Sequence, residues 1–241
     1  GSCTSGGTES ILCAVKAARD YVRARRPHVS KPEMVLPETA HGAFHKACLY
    51  MDITPVMTAY DPVTFQADVQ SIRDAVTDNT ILIVASAPGY AQGVIDPIRE
   101  IGEVAQEKDV LFHVDGCVGG IHLSFMRRMG YELPEFDFSV PAVTSISVDM
   151  HTYGYAPKNI SSVPYRSKDL RFHQFQVVRG LCRRVGDTPL PRRIGVSEDY
   201  QEGAGRDAHV RRRHQRNRRV ARPRRSGHVY VFVHVGRIQH L

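Results

Sequence analysis

No stretch of this chain approaches the roughly 18–20 consecutive apolar residues that a membrane-spanning helix needs. The first residues, G-S-C-T-S-G-G-T, are small and polar, so no signal peptide is expected at this start. A chain that starts inside such a loop is expected to have lost its natural beginning. The five cysteines (Cys3, Cys13, Cys48, Cys117 and Cys182) are odd in number and include no C-x-x-C pair. That pattern supports neither a zinc site nor a disulfide framework, and predicts reduced, structural thiols. Lysine is absent from Arg179 onward, where 16 arginines stand against 5 acidic residues. The segment carries a net charge of +11, so the +7 of the whole chain conceals −4 over residues 1–178. The expectation is a mildly acidic globular portion followed by one basic segment, with 241 residues enough for one substantial core and a tail.

Within residues 1–178, short apolar runs alternate with amphipathic ones. Ile11, Leu12, Val15, Ala18 and Val22 recur at near-helical spacing, predicting a helix with Thr8 or a neighbour as its N-cap. Residues 34–36 predict a strand, A-H-G-A-F-H-K-A-C-L-Y a helix, residues 53–57 a strand, and V-Q-S-I-R-D-A-V a helix. T-I-L-I-V-A-S reads as a buried strand, residues 97–107 as a helix with proline in its first turn, and residues 110–114 as another buried strand. A last alternating run, with Ile146 and Val148 apolar, leads into Asp149 and the turn M-H-T-Y-G-Y-A-P-K. Strands alternating with helices predict an α/β domain whose sheet is mainly parallel, with helices on both faces. Ligands of such sheets bind at the carboxyl ends of the strands, where Asp115 and His151 both fall.

Three places carry candidate chemistry. S-G-G-T opens a helix, so backbone N–H groups and the helix dipole would favour an anion such as a phosphate, although such starts more often serve only as caps. Asp115 ends a buried strand, where a carboxylate can cap the next turn or hold a pyridine nitrogen protonated. His151 follows the last strand, as a satisfied buried histidine or as a site residue.

The segments T-S-G-G-T-E-S, T-A-H-G-A-F-H-K-A, G-V-I-D-P-I, H-V-D-G-C-V-G-G and F-D-F-S-V-P-A-V-T-S-I-S-V-D, followed by Y-G-Y-A-P-K, resemble the sphingosine-1-phosphate lyases in order and spacing. These belong to the group II pyridoxal-phosphate-dependent decarboxylases. The resemblance covers residues 1 to about 178. It implies a type I aminotransferase-like fold, of which residues 1–178 form part of the large domain, and pyridoxal 5′-phosphate as cofactor. It also implies a homodimer with the active site at its interface. Carried over by motif, Gly7 and Thr8 would bind the cofactor phosphate and His41 would stack on the ring. Asp115 would pair with the ring nitrogen, His151 would lie beside the phosphate, and Lys158 matches a second family lysine near the site. The implied reaction cleaves a phosphorylated long-chain base into a fatty aldehyde and phosphoethanolamine, with electrons drawn into a ring that Asp115 keeps charged. Some motifs are shared with amino-acid decarboxylases, which gives the alternative activity. Family members are anchored in the endoplasmic reticulum membrane by an N-terminal helix. That helix and the small C-terminal domain are expected to be missing here.

Two departures limit these expectations. Where the family has its Schiff-base lysine, this chain has Thr152, which offers no amine. Lys158 stands six residues further on, past a glycine and a proline, and could substitute only if the turn refolded. The cofactor is therefore expected to bind non-covalently through Gly7, Thr8, His41 and Asp115, with a severe loss of turnover or as a catalytically dead family member. The second departure is the segment 179–241, which shows neither helical nor strand periodicity. E-D-Y-Q-E-G-A-G-R-D-A-H can be back-translated and read one base later as K-I-T-K-K-V-L-D-A-T-H, which resembles the family's C-terminal domain. A frameshifted or disordered tail is expected, with no nucleic-acid partner. A genuine basic tail would instead bind nucleic acid or acidic lipid through phosphates.

Overall fold

The computed structural model describes residues 1–170. The Arg-rich segment and the boundary expected at 178/179 lie outside the described residues. In chain order the elements are β1 (Ser2–Thr4), α1 (Gly7–Arg25), β2 (Glu33–Pro37), α2 (Gly42–Met51), β3 (Thr54–Thr58) and α3 (Val69–Ala75). They continue with β4 (Thr80–Ser86), α4 (Ile98–Glu107), β5 (Leu111–Asp115), α5 (Gly119–Arg128), β6 (Val143–Asp149) and β7 (Ser161–Val163).

A strand that is apolar at almost every position needs cover on both faces. β4 is buried at all seven positions and lies inside a seven-stranded sheet ordered β1-β7-β6-β5-β4-β2-β3. Its side chains alternate between two cores. Leu82 and Val84 meet Ile11 and Val15 of α1 and Phe44 and Ala47 of α2. Ile83 and Ala85 meet Ile72 of α3, Ile98, Ile101 and Val104 of α4, and Leu123 of α5. Helices therefore cover both faces, as the alternation predicted. The pairs β2/β3, β2/β4, β4/β5 and β5/β6 are parallel.

The far end of the sheet departs from that regularity. β7 runs antiparallel to β6, and β1 antiparallel to β7. Both strands are three residues long, too short for alternation to reveal them. α5 was also hidden, because its G-G start reads as loop. The glycine there answers to space, since a Cβ on Gly119 would lie 2.0 Å from the Ala87 carbonyl oxygen. Cys13, Cys48 and Cys117 are free thiols as expected, whereas Cys3 is disulfide-bonded.

Candidate functional site

The loops that follow β1, β2, β4, β5 and β6 converge at the carboxyl ends of the parallel strands. They enclose a cavity of about 200 Å³ lined by Gly7, Thr8, His41, Tyr90, Asp115, Cys117 and Asp149, with Ile11, Pro88 and Val118 as its apolar wall. A larger cavity of about 300 Å³, lined by Arg25, Arg26 and Asp109 among others, opens at the amino ends of β5 and β6. None of the sequence-predicted residues lines it. Ligands of parallel sheets bind at the carboxyl ends, so the smaller cavity is the candidate site.

One wall is the amino end of α1. Of Thr8 and its neighbours, it is Gly6 that stands at the N-cap, with no side-chain cap, while Thr8 lies within the first turn. Glu9 turns back to accept from the Ser5 N–H and hydroxyl, both at 2.6 Å, and so braces the loop. Among the described residues no side chain caps the first N–H groups of the helix beside the cavity, which makes them a ready anion site. Gly7 lies so close to β6 that an added Cβ would meet Cys117 Sγ at 2.8 Å and Asp149 Oδ1 at 2.9 Å.

His41 supplies a second wall. It does not ride on the face of α2 but caps the helix, its Nδ1 accepting from the Ala43 N–H at 3.1 Å. A neutral imidazole so placed carries its proton on Nε2. The ring meets Tyr90 edge-on, with centroids 4.9 Å apart. Tyr90 was not singled out from the sequence. It lies in A-P-G-Y-A-Q-G, just ahead of the motif G-V-I-D-P-I, and nothing local marks a loop tyrosine as part of a site.

The floor is acidic. Asp115 Oδ1 accepts from the Cys117 N–H at 3.1 Å and the Ser147 hydroxyl at 2.9 Å, and the Cys117 thiol also hydrogen-bonds the carboxylate, while no N–H or O–H donor among the described residues reaches Oδ2. Asp149 Oδ1 accepts from the Ser161 hydroxyl at 2.6 Å. Burial, with these two carboxylates nearby, holds the Cys117 thiol well above its ordinary range, so it stays protonated. Among the described residues no lysine or arginine lines the cavity.

Gly7, Thr8, His41 and Asp115 thus line one cavity, and the other three predicted residues lie outside its lining. His151 is half-buried, and its Nδ1–H donates to the Ile160 carbonyl at 3.0 Å. Its Nε2 stands 3.8 Å from Asp149 Oδ2. Thr152 is exposed and donates to Asp149 Oδ2 at 3.4 Å. Lys158 is exposed. Asp149 belongs to the site although the sequence reading assigned it no ligand role. The signal was its place at the end of an apolar strand, the same signal that marked Asp115.

A family model described as the pyridoxal-dependent decarboxylase conserved domain matches residues 1–183. The sphingosine-1-phosphate lyase of Arabidopsis thaliana is 50% identical over 178 residues, covering 74% of this chain and 32% of the relative. Sphingosine-1-phosphate lyase 1 of Rattus norvegicus is 47% identical over 178 residues, covering 73% of this chain and 31% of its own length. Among solved structures, the sphingosine-1-phosphate lyase of Burkholderia pseudomallei matches with a TM-score of 0.68 and 44% identity, over 70% of this chain and 38% of that one. Glutamate decarboxylase of Lactobacillus brevis, at 24% identity and a TM-score of 0.63, shares the fold. This chain spans about a third of the length of the curated relatives it matches.

Proposed function

The chain belongs to the pyridoxal-dependent decarboxylase family, and on that premise we propose that it is the cofactor-binding part of a carbon–carbon lyase acting on sphingoid base 1-phosphates. The products would be a fatty aldehyde and phosphoethanolamine. One observation carries this reading: Gly7, Thr8, His41 and Asp115, distant in sequence, line a single cavity at the carboxyl ends of the strands.

The residues present fit non-covalent binding of pyridoxal phosphate. The uncapped amino end of α1, with Gly7 and Thr8, offers donors to the phosphate. His41, fixed as the cap of α2, presents its ring to the pyridine. Asp115 Oδ2 is the acceptor for a protonated ring nitrogen. When bound, the cofactor supplies a sink for the electron pair released as the carbon–carbon bond breaks. Apolar Ile11, Pro88 and Val118 limit the access of water to that pair. Thr152, with a hydroxyl in place of an amine, leaves the cofactor without a covalent anchor, so turnover is severely reduced. Pairing into a homodimer and residence at the endoplasmic reticulum membrane belong to the same proposal and rest on the family resemblance. Among the described residues no helix is long and apolar enough to cross a membrane.

The test compares the unaltered chain with Thr152→Lys, first by absorbance titration with pyridoxal phosphate, then by aldehyde release from a phosphorylated long-chain base. Both should bind the cofactor, and aldehyde should appear only with Thr152→Lys. Failure of both to bind, or consumption of glutamate in place of the long-chain base, would overturn the reading.

A further inference from the structure

His113 is fully buried and has no part in the reading above, yet it begins a run of hydrogen bonds that ends on the carboxylate facing the cofactor. We propose that His113 is a positioning residue, which acts through Ser147 to orient Asp115 with Oδ1 turned into the sheet and Oδ2 toward the cofactor nitrogen. This deepens the cofactor-binding reading and rests on it.

The arrangement starts from strand register. Pairing between β5 and β6 shifts by one residue, so that Phe112 pairs with Val143 but His113 with Ser145 and Asp115 with Ser147. Thr144 is the extra residue. Its hydroxyl accepts from the Phe112 N–H at 3.1 Å and donates to the Phe112 carbonyl at 2.7 Å, which satisfies the backbone groups at the irregularity. Without the shift, Asp115 would stand beside apolar Ile146. With it, H-x-D on one strand and S-x-S on the next lie side by side on the face covered by α1 and α2.

Proton accounting then fixes the direction of every bond. The Ser147 hydroxyl donates to Asp115 Oδ1 at 2.9 Å, so its oxygen must serve as the acceptor for His113 Nε2, 3.3 Å away. Nε2 therefore carries the hydrogen, and Nδ1 accepts from the Ser145 hydroxyl at 2.8 Å. Both ring nitrogens are satisfied in the neutral form. Burial agrees, pushing the His113 pKa down to about 4. Phe44 closes the remaining side, its ring edge-on at 5.8 Å. A neutral, fully satisfied histidine holds Ser147 in one rotamer, and Ser147 together with the Cys117 N–H occupies Oδ1.

The experiment uses the full chain with pyridoxal phosphate as probe, comparing it with Ser147→Ala and His113→Gln. The readouts are affinity, the pH at which the bound ring nitrogen loses its proton (followed by absorbance), and the melting temperature. Both variants should bind roughly tenfold more weakly, the worth of one hydrogen bond to a charged group. Their ring-nitrogen midpoint should move to lower pH. A lower melting temperature with the midpoint unchanged would show a merely structural role and overturn the proposal. Absence of binding by the unaltered chain would instead overturn the cofactor reading. The relay is also tested without cofactor, by nitrogen NMR of the imidazole. A neutral Nε2–H tautomer from pH 5 to 8, lost in Ser147→Ala, is expected, and an Nδ1–H tautomer in the unaltered chain overturns the relay.

Discussion

Two adjacent glycines open α1, and the structure assigns them opposite sensitivities. A Cβ on Gly7 would lie 2.8 Å from Cys117 Sγ and 2.9 and 3.1 Å from the Asp149 oxygens. Neither neighbour is the loose end of a flexible side chain. Asp149 is held by the Ser161 hydroxyl at 2.6 Å, and Ser161 in turn contacts the Val148 carbonyl at 2.9 Å and Ser10 at 3.0 Å. Cys117 is tied through its own N–H to Asp115, and its carbonyl accepts from the Asp149 N–H at 3.3 Å. Gly7→Ala must therefore push α1 away from β6 or break that brace, an overpacking cost of about 1–3 kcal/mol. At roughly 2–4 °C per kcal/mol for a domain of this size, the melting temperature should fall by about 2–12 °C. Gly6 has no atom within 4 Å of its would-be Cβ, and its φ of 161° is extended backbone that any residue adopts. Gly6→Ala should therefore change stability by less than about 0.5 kcal/mol. The chain has no tryptophan, so the melts are best followed by far-ultraviolet circular dichroism. Equal melting temperatures for the two variants would refute the argument from space.

Asp96 and the cysteines give the remaining predictions. Burial pushes the Asp96 carboxyl up from 3.8 to about 6, against the Ser86 and Ala67 N–H groups that favour its ionised form. A folded-state value above the unfolded one means the contribution is full below the unfolded value and is lost as pH rises through 6. Stability measured in urea should thus fall between pH 4 and pH 7 by at most about 3 kcal/mol, and Asp96→Asn should remove that slope; a slope of the opposite sign would contradict it. Cys13 and Cys48 are pushed up to about 11 by burial, and Cys117 is raised as well. At pH 8 their alkylation, read by mass spectrometry, should await unfolding, and labelling of the native chain at the rate of a free thiol would count against these environments.

The parts of the fold that could be read from sequence are those where one strand or helix carries its own pattern. T-I-L-I-V-A-S is buried throughout because both of its faces are covered, and a continuous apolar run says as much. The helix of residues 97–107 was legible for the same reason, its apolar stripe being complete within ten residues. What escaped depends on neighbours. β1 and β7 exist because each pairs with the other, and three residues cannot announce a pairing 150 or more residues away. His113 sits in a motif that was quoted for Asp115, but its partners Ser145 and Ser147 are set by a register shift on another strand. His41 was expected in a stacking role and within the helix, whereas α2 starts at Gly42 and His41 caps it through the bond from Ala43. The resemblance pointed through motifs to Gly7, Thr8, His41 and Asp115, which line one cavity. Tyr90, which shares the cavity with them, lies in a loop whose path no motif dictates.

The edge pairing of β1 with β7 has a consequence for how the site comes into being. Thr4 pairs with Ser161, and the Ser10 hydroxyl meets that of Ser161 at 3.0 Å across 151 residues of chain. Closing so long a loop is entropically slow and must precede the contacts that reward it. The amino end of α1 thus precedes by most of the described chain the strand that holds β1 in the sheet. Until β7 inserts between β6 and β1, β1 lacks its pairing strand and Asp149 lacks the hydroxyl that braces it. A chain ending before residue 161 would contain every side chain that lines the cavity, yet lack the strand that pairs with β1 and the hydroxyl that braces Asp149.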